Sequence, residues 1–379
     1  MLCAQSSIEA NILKKYKLNK KGFSLIELLI ALTILAIIVA ISSDTFKNVL
    51  EQAGREMGIM STQMDSFVGL GMLTYDIEHA GYGLPESFRS TISYNEASTS
   101  PANAYNDAPS GIPRPFVSGN NTGLNGSDYF VIKSILAATN NVCTKWTYIT
   151  FENKPFPKTW SSSSQNLVNG NRVIVIKPAK DIYSSNELIL DADGNFYTTF
   201  NSANFSSDFS PQNQGERYMI YGVDASTDLR MPFNRTDYYI KVPTTSSMSL
   251  RCAPNTGILY KATVNHANGE LNEMPILDCV ADMQVIFGLD SNEDGVVETY
   301  SDDISSLTAN QIRKRVKEVR IYILTHEGGK DNSYIYPTST ISVGEFGKGR
   351  EFNLSSTIGT SWQNYRWKQH IIVVKPKDL

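Results

Sequence analysis

A glutamate near the start of a long apolar segment is the feature that most constrains this chain. Residues 20–41 read KKGFSLIELLIALTILAIIVAI, and Glu27 is the only acid among them. Burying a charged side chain in a bilayer costs on the order of 3 kcal/mol, so such an acid usually has a specific partner. Cleavage between Gly22 and Phe23 would place a new α-amino group about one helical turn from Glu27. We therefore expect the partner to be a terminal amine, from this chain or from a neighbouring subunit.

The apolar segment is long enough to cross a membrane once. Phe23 to Ile41 would extend about 28 Å as a helix, which matches the hydrocarbon core of a bilayer. The preceding residues 1–22 contain five lysines and one acid, Glu9, so this basic leader is expected to stay in the cytoplasm. An ordinary secretory signal is disfavoured, because no cleavage site of small residues is well formed after Ala40.

The residues around Glu27 resemble the processing motif of type IV prepilins and pseudopilins. Lys20 to Glu27 contain two lysines, a glycine, an aromatic residue, apolar residues interrupted by serine, and the glutamate. The resemblance implies that a membrane peptidase cuts after Gly22 and methylates the new terminal Phe23. It also implies that Glu27 guides subunits into a helical filament.

Shorter segments resemble one branch of this superfamily, the PilW-like minor pilins. LTYDIEHAGYG at residues 73–83 resembles their helix end, and GSDYFVIKS at residues 126–134 resembles their first strand. VKEVRIYILTHE and RWKQHIIVVKP resemble their last strands and those of J-type pseudopilins. The resemblance implies a minor pilin that primes assembly of a type IV pilus and lies at its tip. A J-type pseudopilin of a type II secretion filament and a pilus-tip adhesin are the alternatives.

The same resemblance implies the partners and the location of the protein. The partners would be the prepilin peptidase, the major pilin, other minor pilins, the inner-membrane assembly platform with its ATPase, and a large tip adhesin. The chain would cross the bacterial inner membrane once, with its C-terminal domain in the periplasm, and would be extracellular in the pilus. Loss of the leader, which carries five lysines and one glutamate, changes the formal charge from −4 to −8. This acidity argues against a nucleic-acid partner.

Four regions are predicted along the chain. They are a leader at residues 1–22, a transmembrane and filament-core helix at 23–43, an amphipathic continuation at 44–83, and an exported β-rich domain at 84–379. The continuation should end near His79, because glycines and a proline follow. Glycines within it predict a bend or local melting. Its apolar residues have a 4-3 spacing, and we expect them to pack on the protein's own sheet; they are Phe46, Leu50, Ala53, Met57, Met60, Met64 and Phe67.

The residues from Leu84 onward predict a sheet with large insertions. Short β-type runs alternate with loops rich in Asn, Ser, Gly and Pro. Thr308 and Gln311 have the spacing of a capping box, which predicts a short helix through Arg315. The fold class is therefore α+β and pilin-like, a long N-terminal helix packed on an antiparallel sheet. Predicted strands are 129–134, 173–177, 218–223, 238–242, 258–264, 283–289, 319–324 and 370–374, and predicted insertions are 86–127, 153–171 and 198–216.

Cysteine usage fits an exported domain. Cys3 would be lost with the leader, which leaves Cys143, Cys252 and Cys279 outside the cytoplasm, where disulfides persist. We prefer a bridge between Cys252 and Cys279, because the intervening segment is short enough for a local loop. Pairing of Cys143 with either of the other two remains an alternative.

The sequence DSNEDGVVE contains a candidate calcium loop. Its oxygen ligands would be the side chains of Asp290, Asn292, Asp294 and Glu298 and the backbone carbonyl of Val296. A complete EF-hand loop would need a glutamate where this chain has Ser301, so an acidic turn after the preceding strand is the alternative explanation.

The sequence contains no recognisable catalytic motif. It lacks a G-x-S-x-G elbow, an HExxH pair and a phosphate-binding glycine loop. The four histidines, His79, His266, His326 and His370, lie in unrelated contexts, and we expect each to be packed or solvated. The prediction is a structural protein rather than an enzyme.

Overall fold

The computed structural model describes residue 22 and residues 24–181, 184–244 and 248–379. The chain divides into two compact units, Met1–Met57 and Gly58–Leu379. Predictions for the rest of the leader, including Cys3, and for Phe23 fall outside the described residues.

A single long helix, α1, contains the apolar segment and its continuation. It extends from Leu25 to Glu78, 54 residues, without interruption, so the bend or melting predicted at its glycines does not break it. It ends one residue before His79, the predicted end. Gly81 follows with φ +90°, a left-handed conformation that residues with a Cβ rarely adopt, and the helix stops there.

The sheet-facing side of α1 differs from the predicted one. Leu73 and Ile77 are fully buried and belong to the same apolar cluster as residues of the larger sheet. The predicted stripe, by contrast, is largely exposed. Five of its side chains are at least 55% exposed, those of Phe46, Leu50, Met57, Met60 and Phe67. Ala53 is half-buried, and the side chain of Met64 lies outside the described part. The prediction that this stripe packs on the protein's own sheet is therefore wrong for Met60 and Phe67, which belong to the same unit as the sheet. A 4-3 spacing identifies an apolar helix face, but it does not specify what covers that face.

The larger sheet has eight strands and is antiparallel in every pair. Its strand order is β16-β13-β11-β10-β9-β3-β2, with β12 paired to β11. The strands are β2 (Phe116–Gly119), β3 (Tyr129–Ser134), β9 (Asn234–Lys241), β10 (Gly257–Val264), β11 (Leu271–Leu289), β12 (Thr299–Ser301), β13 (Val316–Glu327) and β16 (Arg366–Val374).

The smaller sheet has six strands in the order β1-β6-β5-β8-β4, with β7 paired to β5. Among the described strands, β1 and β6 are the only parallel pair. The strands are β1 (Ser87–Phe88), β4 (Trp146–Thr150), β5 (Arg172–Lys177), β6 (Glu187–Leu188), β7 (Thr198–Thr199) and β8 (Arg217–Asp224). A separate hairpin pairs β14 (Thr340–Val343) with β15 (Arg350–Asn353). The predicted α+β class, a long N-terminal helix with a mostly antiparallel sheet domain, is confirmed.

Local sequence signals located most of the regular structure. Each of the eight predicted runs overlaps an observed strand, although β11 begins at Leu271 rather than at Met283. Eight observed strands were not predicted, namely β1, β2, β4, β6, β7, β12, β14 and β15. The capping box is present: Thr308 accepts from the backbone of Gln311, and Gln311 accepts from the backbone of Thr308. It begins α2 (Ala309–Arg315), and a last short helix, α3, extends from Leu354 to Thr357.

The predicted insertions contribute to the core. Ile92 and Tyr94, from the first polar stretch, are at least 97% buried and pack in one apolar cluster with residues of both sheets. This stretch also contains Glu96 and Asp107, whose carboxylates have buried partners described below. It is therefore an integral part of the unit Gly58–Leu379 rather than a surface decoration.

Candidate functional site

Glu27 lies in the first turn of α1, where its carboxylate caps the helix. The backbone N–H of Ser24 donates to Oε2 of Glu27 at 2.9 Å. The Ser24 hydroxyl oxygen accepts from the backbone N–H of Ile26 at 3.3 Å. These contacts satisfy two N–H groups at a helix terminus where such groups lack helical partners. The S-x-x-E spacing that signals this capping role is present in the sequence, and sequence analysis missed it.

The processing site is described only on one side. Gly22 is exposed and precedes the helix, whereas Phe23 lies outside the described residues. Cleavage after Gly22 and methylation of Phe23 therefore stay predictions.

The first part of α1 has the properties of a membrane span. Leu25–Met60 is the one helical segment among the described residues that is long and apolar enough to cross a bilayer, and its most apolar stretch of 18 residues has a mean hydropathy of 2.8. Three of its hydroxyl groups are bonded within the helix: Thr33 donates to the carbonyl of Ile30 at 2.8 Å, Ser43 to that of Val39 at 2.8 Å, and Thr45 to that of Ile41 at 3.1 Å. Internal hydrogen bonds of this kind lower the cost of placing hydroxyls in lipid.

Near its other end, α1 is fixed to the larger sheet through Asp76. This residue is 4% exposed. Its Oδ2 atom accepts from the hydroxyl of Tyr238 at 2.6 Å and lies 2.6 Å from Nζ of Lys261. Burial raises the pKa of Tyr238 well above its ordinary value, and the neighbouring carboxylate raises it further. Sequence analysis drew attention to the LTYDIEHAGYG segment but assigned no role to Asp76.

The turn after α1 is held by the C-terminal tail. Nδ1 of His79 lies 2.9 Å from Oδ2 of Asp378, and Nζ of Lys377 donates to Glu78 at 2.8 Å. At Gly81, an added Cβ would lie 2.8 Å from the carbonyl oxygen of Asp378. The glycine thus serves two purposes, a left-handed backbone and close approach of the tail.

A second group of charges is buried between β3, β9 and the segment before β2. Nζ of Lys133 lies 2.7 Å from carboxylate oxygens of both Glu96 and Asp107. Arg235 contacts Glu96 at 2.9 Å and Asp237 at 2.7 Å. Burial alone would raise the pKa of Asp107, but Lys133 and a second cation lower it overall. Each charge in this network has a partner of opposite sign, as burial requires.

The structure contains a disulfide between Cys252 and Cys279, the pair preferred from the sequence. Their Cα atoms lie 4.8 Å apart. Cys143 is a buried free thiol, and burial raises its pKa to about 11. It therefore stays protonated and weakly reactive at neutral pH.

The loop after β11 brings three carboxylates together. Ligand oxygens of Asp290, Asp294 and Glu298 lie within 4.8 Å of one another. Two other predicted ligand residues contact Asp294: Asn292 donates to it from its side chain at 3.1 Å, and Val296 donates from its backbone at 2.9 Å. Burial opposes ionisation of Asp290, but backbone hydrogen bonds lower its pKa overall. An ionised carboxylate at this position is what a cation site needs.

The donor set of this loop suits Ca²⁺, which prefers oxygen ligands. The same carboxylates are also bonded within the loop. Asp290 accepts from the backbone of Gly295 at 2.7 Å, and Glu298 accepts from the backbone of Ser291 at 2.6 Å. Nζ of Lys317 lies 3.9 Å from Asp290 and partly neutralises it. Contacts within the loop therefore hold the three carboxylates close together with or without a cation, and calcium binding stays a prediction.

The histidines occupy separate structural positions. His266 accepts from the backbone of Arg230 at 3.2 Å, and His326 accepts from the backbone of Ala253 at 2.9 Å. Burial lowers the pKa of both His266 and His326 to about 4. Burial also lowers the pKa of His370. The two buried rings are neutral at physiological pH and serve as hydrogen-bond acceptors within the fold.

Comparison with known families gives two matches. Residues 237–349, from the middle of β9 to the residue before β15, match the model of the type IV pilus-assembly protein W family, PilW. Residues 17–43, which include Gly22, Phe23 and Glu27, match the prokaryotic N-terminal methylation motif. No curated protein matches the chain, and no solved structure does.

Proposed function

We propose that this chain, a PilW-like protein related to the type IV pilins, is a minor pilin that primes pilus assembly and occupies the pilus tip. Its character as a pilus-related minor pilin rests on the two family matches. The methylation motif and the apolar N-terminal helix fit a pilin anchored in the inner membrane. The priming role and the tip position are the proposal.

The position of Glu27 carries this proposal. Among the described residues, Ser24 donates to one oxygen of the carboxylate, Oε2, and none donates to Oε1. After cleavage at Gly22, the second oxygen can accept from the methylated amino group of an adjacent subunit. This contact neutralises both charges in an apolar environment and sets the axial register of the two helices.

The size of the second unit favours the tip. Gly58–Leu379 contains 322 residues, counted from its ends, and its two large sheets would have to fit between neighbours inside a helical filament. A subunit at the end of the filament has neighbours on one side only. The expected partners are the prepilin peptidase, the major pilin, other minor pilins, the assembly platform and a large tip adhesin.

Replacement of Glu27 tests the proposal directly. Glu27→Ala at the chromosomal locus should leave the protein processed and inserted in the membrane, yet reduce the number of pili per cell. Ser24→Ala is the matched control, because it removes a neighbouring polar side chain and keeps the carboxylate. Unchanged piliation in the Glu27→Ala strain would contradict the pairing role.

Two further measurements separate the alternatives. Mass measurement of the membrane-extracted protein should give a chain that begins with N-methylated Phe23, and retention of the leader would refute a pilin function. Deletion of the gene should reduce piliation while secretion of exoproteins stays normal. The reverse outcome would indicate a J-type pseudopilin of a secretion filament.

A further inference from the structure

A polar cavity of about 710 Å³ opens beside the short helix α2. This volume lies within the range of sites that hold small molecules, roughly 300–1,000 Å³. Two serines and Leu379 line it together with three cations, two acids and one amide, so its charged side chains sum to +1. The charged and amide residues are Arg313, Lys314, Lys317, Glu86, Glu293 and Asn310.

Arg313 is the cation of this cavity that has no acidic partner. Its Nη2 atom donates to the carbonyls of Pro85 at 3.2 Å and Pro113 at 3.4 Å. Among the described residues, none accepts from its Nε or Nη1 atoms, and no carboxylate forms an ion pair with its guanidinium. Neither nitrogen is sealed in the protein interior, so a ligand can reach both.

The acids nearest to Arg313 do not neutralise it. Burial lowers the pKa of Arg313, and the opposing effects of Glu86 and Asp107 do not offset this loss. The Glu86 carboxylate accepts instead from the side chain of Asn186 at 2.8 Å and from its backbone at 3.3 Å. A half-buried cation without a counterion is costly, and an anion that enters the cavity would remove that cost.

The two lysines of the cavity add positive charge at its border. Lys314 lies 3.5 Å from Glu293, and Lys317 lies 3.9 Å from Asp290. The lysine side chains are 56% and 36% exposed, so solvent weakens both ion pairs. They can attract an anion, but Arg313 is the group that needs one.

The other lining residues limit the kind of anion that fits. Among the described residues that line the cavity, Leu379 is the one apolar residue, so a nucleobase or a lipid chain has no surface to pack on. Glu293 and Asn310 offer acceptors and donors to hydroxyl groups. The planar guanidinium of Arg313 matches a carboxylate. The favoured ligand therefore carries one carboxylate and several hydroxyls.

We propose that this cavity binds an acidic sugar, whose carboxylate pairs with Arg313 and whose hydroxyls contact Asn310 and Glu293. The proposal goes beyond the assembly role, because it adds a ligand that the Glu27 contact does not involve. A subunit at the pilus tip would carry such a site to saccharides outside the cell. Sugar binding does not require assembled pili, so it can be present or absent independently of the proposed function.

Calorimetric titration of the full-length, detergent-solubilised protein tests this inference. The probes are glucuronic, galacturonic and N-acetylneuraminic acids, with glucose and galactose as neutral counterparts, all at constant ionic strength. At least one acidic sugar should bind with a dissociation constant below about 10 mM. A neutral counterpart should bind at least about tenfold more weakly, because it leaves Arg313 without a partner.

Two variants locate the binding in this cavity. Asn310→Asp adds a negative charge to the lining and should weaken binding of the acidic sugar at least about tenfold. Its side chain is exposed, and an aspartate is favourable in the first turn of a helix, so the variant should fold. Asn332→Asp is the matched control, since it makes the same change at an exposed residue outside the lining, and it should leave affinity unchanged.

Arg313→Lys tests the shape of the anion contact. It keeps the charge but loses the paired N–H groups, so binding of the acidic sugar should again weaken at least about tenfold. If this variant fails to fold, the comparison of Asn310→Asp with Asn332→Asp still decides the location.

Four results would overturn the inference. The first is that no acidic sugar binds at concentrations up to about 10 mM. The second is that acetate or sulfate binds as tightly as the best sugar, because the sugar ring would then contribute nothing. The third is an equal loss of affinity in Asn310→Asp and Asn332→Asp. The fourth is binding of a hexaglutamate peptide but of no sugar, which would identify an acidic protein segment as the occupant.

Discussion

Tyr238 on β9 donates a hydrogen bond of 2.6 Å to Asp76 in the last turns of α1. Lys261 on β10 is the cross-strand partner of Tyr238 and lies 2.6 Å from the same oxygen of Asp76. One buried carboxylate thus joins the helix to two adjacent strands. This anchor fixes where the part of α1 that follows Gly58 lies on the sheet.

Loss of the Asp76 carboxylate should destabilise the protein strongly. Asp76→Ala leaves the Lys261 ammonium buried and unpaired, which is expected to cost about 3 kcal/mol or more of unfolding free energy. Tyr238→Phe removes one hydrogen bond to a charged group and should cost about 2 kcal/mol. Denaturant unfolding of the detergent-solubilised protein measures both values.

The Glu78 to Lys377 pair provides a control for that experiment, because its lysine side chain is 60% exposed. Glu78→Gln should change the unfolding free energy by less than about 1 kcal/mol. Similar losses of unfolding free energy in Glu78→Gln and Asp76→Ala would show that the buried Asp76 contacts add no more stability than an exposed ion pair.

Replacement by alanine should change the stability of the protein in opposite directions at two nearby glycines of α1. A Cβ at Gly69 would lie 2.2 Å from the carbonyl oxygen of Ile276, so helix and strand must move apart. Gly69→Ala should therefore cost about 1–3 kcal/mol. A Cβ at Gly71 meets nothing within 4 Å, and Gly71→Ala should stabilise the helix by up to about 1 kcal/mol. Thermal unfolding of the two variants, compared with the wild type, checks the signs.

Buried His326 should make the protein sensitive to mild acid. Its pKa is lowered to about 4 in the folded state, against an ordinary value of 6.5, so the unfolded chain binds the proton more readily. The resulting stability is fully present above pH 6.5 and is lost as the pH falls towards 4. The loss is on the order of 1 kcal/mol per pH unit. Denaturation at several pH values measures it.

His326→Gln isolates this contribution, because glutamine can accept from the Ala253 backbone and does not titrate. The difference in stability between wild type and variant should change between pH 6.5 and 4 and stay constant above that range. A difference that does not depend on pH would refute the assigned protonation state.

Calcium should stabilise the protein if the acidic loop binds it. Ca²⁺ at a hundred times its dissociation constant would add about 3 kcal/mol to the unfolding free energy, and so raise the melting temperature. Glu298→Gln should remove this effect. Glu293→Gln is the matched control, because its carboxylate is directed to Lys314, at 3.5 Å, rather than to the three converging acids. An equal melting temperature in Ca²⁺ and in chelator would leave the acidic turn as the explanation of this loop.

Features that depend on residues close together in the chain could be read from the sequence. The apolar helix, its end near His79, the capping box at Thr308 and eight strand runs all follow from local periodicity or spacing. The β-rich fold class follows from the same signals. Local patterns mislead where a charged residue finds a buried partner elsewhere in the fold. Arg235 and Asp237 in β9 would ordinarily indicate a strand that faces solvent, yet both are fully buried.

The sequence by itself determined the apolar N-terminal helix and the methylation motif, because each is complete within a short stretch of chain. Only the tertiary structure decided which helix face packs on the sheet, which residues contact the Asp76 carboxylate, and which strand lies at the edge of the sheet. These outcomes depend on contacts between residues far apart in the chain; Asp76 and Tyr238, for example, are separated by 162 positions. A buried charge is stable only beside its partner, and the fold brings that partner into place.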